Sequence, residues 1–433
     1  MCGVAAVWNV NDAYSILHDI LLGLQHRGQE SVGIVLNNFR VLKGRGMVDT
    51  VLLEERWMES NSGIGHVRYS TVGSTKEIQP IIAVTHKGKM AVAHNGTIPN
   101  ADDWFKHLLE RGAVFQSTID SEIFLHLASM APYDDPKASV VWALSKISAA
   151  YALVWMHADF IAVARDPYGF RPLFIGRYKD GHVVASEDAA LRAVGAVNVE
   201  EVAPGTVVFF SQDGIEKQRF EESKRKFCSF EYIYFARPDS TFGDLNVHRA
   251  RFMMGAQLYR ENRVDADIVI PVLDSGLSGA LGFSSESSIP LDFGLMKNRY
   301  IGRSFIMPSG RKEIVRKKLV PIRDVVKDKR VVVIDDSIVR GTTMGIIVQI
   351  LREAGAREVH VGIHSPPVSH PCYYGIDTAR KKELVASQMN IEEIRREVKA
   401  DSLFYLSLEG LLRVLGRNGV CVACFNGEYP HLR

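Results

Sequence analysis

Apolar residues in the first half of the chain come in short runs separated by Gly-rich turns. Residues 4–8, 32–36, 81–86, 90–94, 160–164, 172–176, 182–186 and 206–210 are rich in Val, Ile and Phe and read as strands. Two stretches carry helical spacing instead. One runs from Asp12 to about His26, with Ile16, Ile20 and Leu24 on one face, and the other from about Ser121 into the Met130 region. Many strands with few helices predict two packed sheets with helices outside. The charged run EESKRK (221–226) reads as a linker.

The pattern changes from Asp265 onward. ADIVIPV (266–272) precedes DSGLSGALGF, RVVVIDD (330–336) precedes SIVRGTTMGIIVQILREAGA, and HVGIHS (360–365) follows. Apolar strands alternating with helices predict a parallel α/β sheet that binds ligands at the strand C-termini.

Composition narrows the function classes. The 433 residues are 46% apolar and 24% charged, which suits a well-buried globular fold of two or three domains. Lys+Arg 52 against Asp+Glu 50 gives no basic field for nucleic acid. No apolar stretch approaches the roughly 18 residues of a membrane helix. The N-terminus has no charged flank of a signal peptide, so a cytoplasmic protein without nucleic-acid or membrane partners is expected. Five cysteines are too uneven for a disulfide framework: Cys2 stands alone, while Cys228, Cys372, Cys421 and Cys424 lie in the second half.

The most specific run is VVVIDDSIVRGTT (331–343). A β-branched strand delivers two carboxylates, and a small hydroxyl-rich loop then leads into a helix predicted from near Met344 to a C-cap at Gly355. Such a helix N-terminus binds anions through oriented N–H groups and its dipole. Asp335 and Asp336 suit two ribose hydroxyls or a share in Mg²⁺. The run resembles the phosphoribosylpyrophosphate (PRPP) signature of type I phosphoribosyltransferases. The resemblance implies that Asp335 and Asp336 hold the ribose and that Ser337, Arg340, Gly341, Thr342 and Thr343 cradle the 5′-phosphate. IPVLDSGLSGA (270–280) would supply the pyrophosphate loop, with Asp274, Ser275 and Gly276, and Mg²⁺ would sit at Ser275, Asp335 and Asp336. KNRYIGRSF (297–305), with Lys297, Arg299 and Arg303, resembles the mobile loop that closes over PRPP and excludes water.

Once Met1 is removed, Cys2 would carry its own general base, because an α-amine titrates at about 7.7–8.0. LQHRGQES (24–31), GHVRYST (65–71), AHNGTIPN (93–100) and STIDSE (117–122) together resemble class II, N-terminal nucleophile (Ntn) glutamine amidotransferases. In that resemblance Cys2 is the nucleophile, and Asn95 with the Gly96 N–H forms the oxyanion hole. Arg68 clamps the glutamine carboxylate, Asp120 pairs with its ammonium, and Arg27 supports the nucleophile's wall at the glutamine site.

The two signatures occur in one chain in the order found in the glutamine PRPP amidotransferase family. Further matching segments are RDPYGFRPLFIG (165–176), FEYIYFARPDS (230–240), PCYYGID (371–377) and CFNGEYP (424–430). The resemblance implies an α+β Ntn-hydrolase αββα sandwich over residues 2–226 and an α/β type I phosphoribosyltransferase domain over 227–433. It implies glutamine and PRPP as substrates, 5-phosphoribosylamine as product at the first committed step of purine synthesis, purine nucleotides as feedback inhibitors, and a homotetramer. The four remaining cysteines resemble those of the family's iron–sulfur branch, so Cys228, Cys372, Cys421 and Cys424 would hold a [4Fe–4S] cluster. Spacing by itself is equally compatible with tetrahedral zinc. The family pattern is broken at Leu273, Thr97 and Ser304, and the stretch after Pro308 is shorter.

Overall fold

The computed structural model describes residues 1–52, 59–69, 77–298, 300, 311–378 and 380–430. Ser70 and Thr71 of GHVRYST, Arg299 and Arg303 lie outside the described residues.

Two antiparallel sheets form the first half. One has seven strands in the spatial order Val197–Glu201, Phe174–Tyr178, Gly181–Ala185, Gly3–Trp8, Gly63–Arg68, Ser31–Leu36 and Val41–Arg45. The other has six: Gly214–Arg219, Thr206–Ser211, Phe160–Arg165, Ala150–His157, Gly88–Thr97 and Ile81–Thr85. Alternation along single strands makes the layers. Val4 and Ala6 face the core between the sheets, with Val35, Ala91, Ala93, Val154 and Val163. Ala5 and Val7 face the opposite way, onto Leu17, Ile20 and Leu21 of the helix Ala13–Gly23. On the second sheet Leu153 and Trp155 turn outward, onto Phe124, Leu127, Val140 and Leu144 of the helices Glu122–Met130 and Pro136–Lys146. The result is helix, sheet, sheet, helix.

Both expected helices form, and the helices Ala101–Leu109 and Pro136–Lys146 add to them. The second opens with Asp135 accepting from Lys137 N and Ala138 N and with Pro136 in the first turn. The run 221–226 has no helix or strand, and its backbone is pinned by Lys224 N to Pro167 O at 2.8 Å and Lys226 N to Tyr168 O at 2.7 Å.

In the second half a parallel sheet runs Ile268–Pro271, Arg330–Asp335, Glu358–Ile363 and Ser402–Tyr405. Ile268–Pro271 and residues 331–334 are buried on both faces, which explains their unbroken Val and Ile, whereas the edge strand Ser402–Tyr405 alternates half-buried and buried. The helix after Asp335 spans Thr342–Glu353, starting two residues before the expected Met344 because Gly341 serves as its N-cap. Its C-cap is Ala354, with Gly355 one residue beyond.

Candidate functional site

Cys2 lies at the end of one sheet and Asn95 near the end of a strand in the other, so the sandwich brings them together. Cys2 N donates to Asn95 Oδ1 at 3.2 Å, and the Cys2 thiol reaches the Tyr69 carbonyl at 3.5 Å. Asn95 Nδ2 is fully buried and has no hydrogen-bond acceptor among the described residues. Gly96 follows with φ +154°, and a Cβ there would stand 1.8 Å from Ala150 O, so only glycine fits.

Arg68 ends the strand beside that of Cys2, with Gly3 opposite Val67. Its Nη1 donates to the Glu77 carbonyl, and the Glu77 carboxylate takes Thr118 N and Thr118 Oγ1 at 2.6 and 2.7 Å. Arg68 is thereby tied to the segment that carries Asp120. Burial opposes ionisation of Asp120, but His94 and the N–H groups of Ile98 and Ser121 outweigh it and hold the carboxyl below its usual range.

Arg27 stands against the Cys2 backbone, where support of the nucleophile's wall would place it. It is fully buried, and its nitrogens are engaged inside the protein: Nε donates to Cys2 O at 3.0 Å, Nη1 to Glu187 and Nη2 to Glu231 at 2.8 Å. It backs the nucleophile and has no face left for substrate. No spacing in the sequence assigns Glu187 and Glu231 this role, although Glu231 falls within FEYIYFARPDS.

At the second site the strand Arg330–Asp335 delivers both carboxylates to the floor of a cleft. Val272, Leu273, Ser275, Lys318, Ser337 to Met344 and Ile376 to Thr378 surround it. Burial and the charge of Asp336 push the Asp335 carboxyl well above the ordinary carboxylate range. Burial also raises Asp336, against hydrogen bonds from Ser275 and Ser337. Two adjacent buried carboxylates with this much unrelieved repulsion suit a divalent cation or two hydroxyl donors. Gly276 packs below the Asp336 strand, where a Cβ would stand 2.3 Å from Ile334 O. Lys297 pairs with Asp274. Arg340 is turned to Glu383, Nε to Oε2 3.1 Å. Tyr69 lines this cleft too, beside Phe230, Tyr234 and Phe235.

The four second-half cysteines converge from three segments on one small cavity, with Phe170, Arg171 and Tyr374. Cys228 is registered against Cys421 in a short parallel strand pair, and all four thiols are free. Burial pushes the Cys228 thiol up to about 11 and Cys421 up to about 12. Arg171 is fully buried beside Cys228 and Cys372, and its Nη1 has no hydrogen-bond acceptor among the described residues. Arg171 Nη1 also stands 3.5 Å from the Glu231 carboxylate, and a buried guanidinium beside four thiols fits a group that binds them as thiolates. Among the described residues no three ligating side chains are gathered around a single-ion position.

Two stacked antiparallel sheets that bring Cys2 to Asn95, joined to a parallel sheet whose strand ends at Asp335, define a glutamine amidotransferase fused to a phosphoribosyltransferase. Residues 66–193 match the family described as glutamine amidotransferase domain. The chain is 45% identical to the amidophosphoribosyltransferase of Bacillus subtilis, over 99% of this chain and 94% of that one. It is equally similar, at 45%, to that of Pyrococcus horikoshii, over 99% and 96%. The solved glutamine PRPP amidotransferase from B. subtilis complexed with ADP and GMP superposes with a TM-score of 0.93 at 44% identity, over 99% of this chain and 97% of that one. The chain belongs to the amidophosphoribosyltransferase family and is an enzyme of that class, which forms 5-phosphoribosylamine at the first step of purine biosynthesis.

Proposed function

We propose that the two sites run as consecutive half reactions, carried by one observation: Tyr69 accepts from the Cys2 thiol and also lines the cleft of Asp335 and Asp336. Removal of Met1 turns Cys2 N into the α-amine, which takes the thiol proton. Sγ attacks the glutamine carboxamide carbon while Arg68 and Asp120 hold the α-carboxylate and ammonium. Asn95 Nδ2 and Gly96 N–H receive the oxyanion. Ammonia leaves with the amine's proton, and water hydrolyses the thioester to glutamate. Ammonia then attacks C1 of PRPP, the bond to pyrophosphate breaks, and a proton is lost. Free ammonia is mostly protonated in water near pH 7, so adjacency of the sites keeps it nucleophilic.

In the cleft, Asp335 and Asp336 hold the ribose side of PRPP, and Ser337 to Thr343 receive the 5′-phosphate on the helix N-terminus. Asp274, Ser275 and Gly276 receive pyrophosphate, with Lys297 and Arg303 as cations over it. Ser275, Asp335 and Asp336 would hold Mg²⁺, which when bound would supply positive charge beside the pyrophosphate. Cys228, Cys372, Cys421 and Cys424 hold a [4Fe–4S] cluster, which staples the C-terminal tail to the junction near residue 226. Purine nucleotides carry the same ribose 5-phosphate as PRPP, so the same cradle accepts them as inhibitors.

The test is PRPP-dependent glutamate formation in the presence of glutamine and Mg²⁺. Glutamate formed without response to PRPP would overturn the coupled reading. Cys2→Ala should abolish glutamine use and retain ammonia-dependent synthesis; loss of both would contradict two separable sites.

A further inference from the structure

Residues 372–378 touch three places at once. Cys372 faces the four-thiol cavity, and Ile376, Asp377 and Thr378 line the PRPP cleft. Between them, Gly375 lies against the backbone of Gly96. A Cβ on Gly375 would stand 3.1 Å from Gly96 Cα and from its carbonyl carbon, and 3.2 Å from its oxygen. With φ +106°, Gly375 also occupies a conformation that side chains avoid.

The segment is held by ties independent of that contact. Arg171 Nε donates to Tyr374 O at 2.9 Å. The Tyr374 ring stacks on Phe170 at 4.3 Å and 14°, its hydroxyl donates to Pro430 O, and its N–H donates to Cys372 Sγ at 3.4 Å. Gly96 is therefore backed by Ala150 of its neighbouring strand and by Gly375 of the phosphoribosyl half.

We propose that Gly375 is a positioning residue for the glutamine half reaction: it braces Gly96 so that the Gly96 N–H keeps its aim at the developing oxyanion. The brace is anchored at Cys372 and by Arg171. The inference rests on Asn95 and Gly96 being the oxyanion donors. An N–H that tilts away stabilises the tetrahedral intermediate less without loosening the grip on the α-carboxylate and ammonium, which belongs to Arg68 and Asp120.

The test is Gly375→Ala. Glutamate γ-semialdehyde is the probe, because the Cys2 thiol adds across its carbonyl, the S–C bond forming and the thiol proton passing to oxygen, to give a tetrahedral adduct. Expected is a fall of about tenfold in kcat for glutamine hydrolysis and a similar fall in semialdehyde affinity, with KM for glutamine and affinity for glutamate nearly unchanged. Unchanged semialdehyde affinity would overturn the proposal, as would an equal loss for semialdehyde and glutamate, which signals general distortion. Asn95→Ala separates the underlying reading. If it too leaves semialdehyde affinity unchanged, the oxyanion assignment fails; if it alone lowers that affinity, only the brace fails. Tyr374→Phe loosens the segment without crowding Gly96 and should show a smaller loss in the same sense. A folded Tyr374→Phe protein with the wild-type preference for semialdehyde over glutamate would overturn the proposal even if Gly375→Ala did not fold.

Discussion

Arg27 and Glu231, 204 residues apart in the chain, form a forked ion pair, Nη2 to Oε1 2.8 Å and Nη1 to Oε2 3.1 Å, with both side chains fully buried. The pair crosses from the amidotransferase half to the phosphoribosyltransferase half, and the same guanidinium holds the Cys2 carbonyl. Breaking a buried pair leaves a charge without its counter-ion, at a cost of about 3–5 kcal/mol. Glu231→Gln should cost about 3–5 kcal/mol: Glu187 still neutralises Arg27, but buried Arg171 loses its carboxylate partner. Thermal unfolding should show the loss. Glutamine-dependent turnover should fall more than ammonia-dependent turnover.

Asp335 titrates well above an ordinary carboxylate because it is buried beside Asp336. Protons therefore compete with Mg²⁺ and PRPP at higher pH than for an exposed aspartate, and affinity should weaken on acidification. Asp336→Asn removes the neighbouring charge. PRPP affinity at pH 7 should drop, and the remaining acid-induced weakening should begin at lower pH. Calorimetric titration of PRPP with Mg²⁺ between about pH 5 and 8 reads both effects.

Protein purified under nitrogen should absorb broadly near about 400 nm and contain about four irons and four sulfides per chain. Removing iron should expose the tail around Val420 and Cys421 to protease before the sheets of the first half are cut. A colourless, iron-free preparation with an undisturbed tail would count against the cluster.

His66 and His364 are fully buried, and burial lowers each to about 3, with Arg68 and Arg251 respectively adding to the effect. A depressed histidine stabilises the fold above its unfolded pKa of about 6.5 and loses that contribution as pH falls toward about 3. Stability should drop by about 1 kcal/mol per histidine between pH 7 and 5.5. Denaturant unfolding at the two pH values checks this, and His364→Gln should remove about half of the drop.

The fold was legible wherever a strand or loop carries its own local signal. Gly3–Trp8, Ser31–Leu36 and Arg330–Asp335 lie within a residue of expectation because Val and Ile runs ended by turn residues are local information. Ala150–His157 was missed: both of its faces are buried, so AYALVWMH shows no alternation to separate it from a helix. Pro136–Lys146 was missed although Asp135-Pro136 is a helix-start signal. At the site, Cys2, Asn95, Asp120, Asp335 and Asp336 could be named from motifs. Arg171, Glu187 and Glu231 could not be given roles, because a buried ion-pair partner is chosen by tertiary packing and leaves no spacing rule.

The short parallel pairing of Phe227–Cys228 with Val420–Cys421 bears on how the chain matures. The Ser229 hydroxyl donates to the Cys421 carbonyl, 192 residues further along, at 2.8 Å. During synthesis the junction is made long before its partner emerges, so this pairing has one of the longest loops in the molecule to close. The amidotransferase sheets have their own strands in hand by Arg219, yet the Gly96 brace and the second of Arg27's two carboxylate partners, Glu231, arrive only with later residues. A nascent chain halted before Gly375 would leave Gly96 unbraced, so glutamine hydrolysis would reach its full rate only when the acceptor half is there to receive the nitrogen.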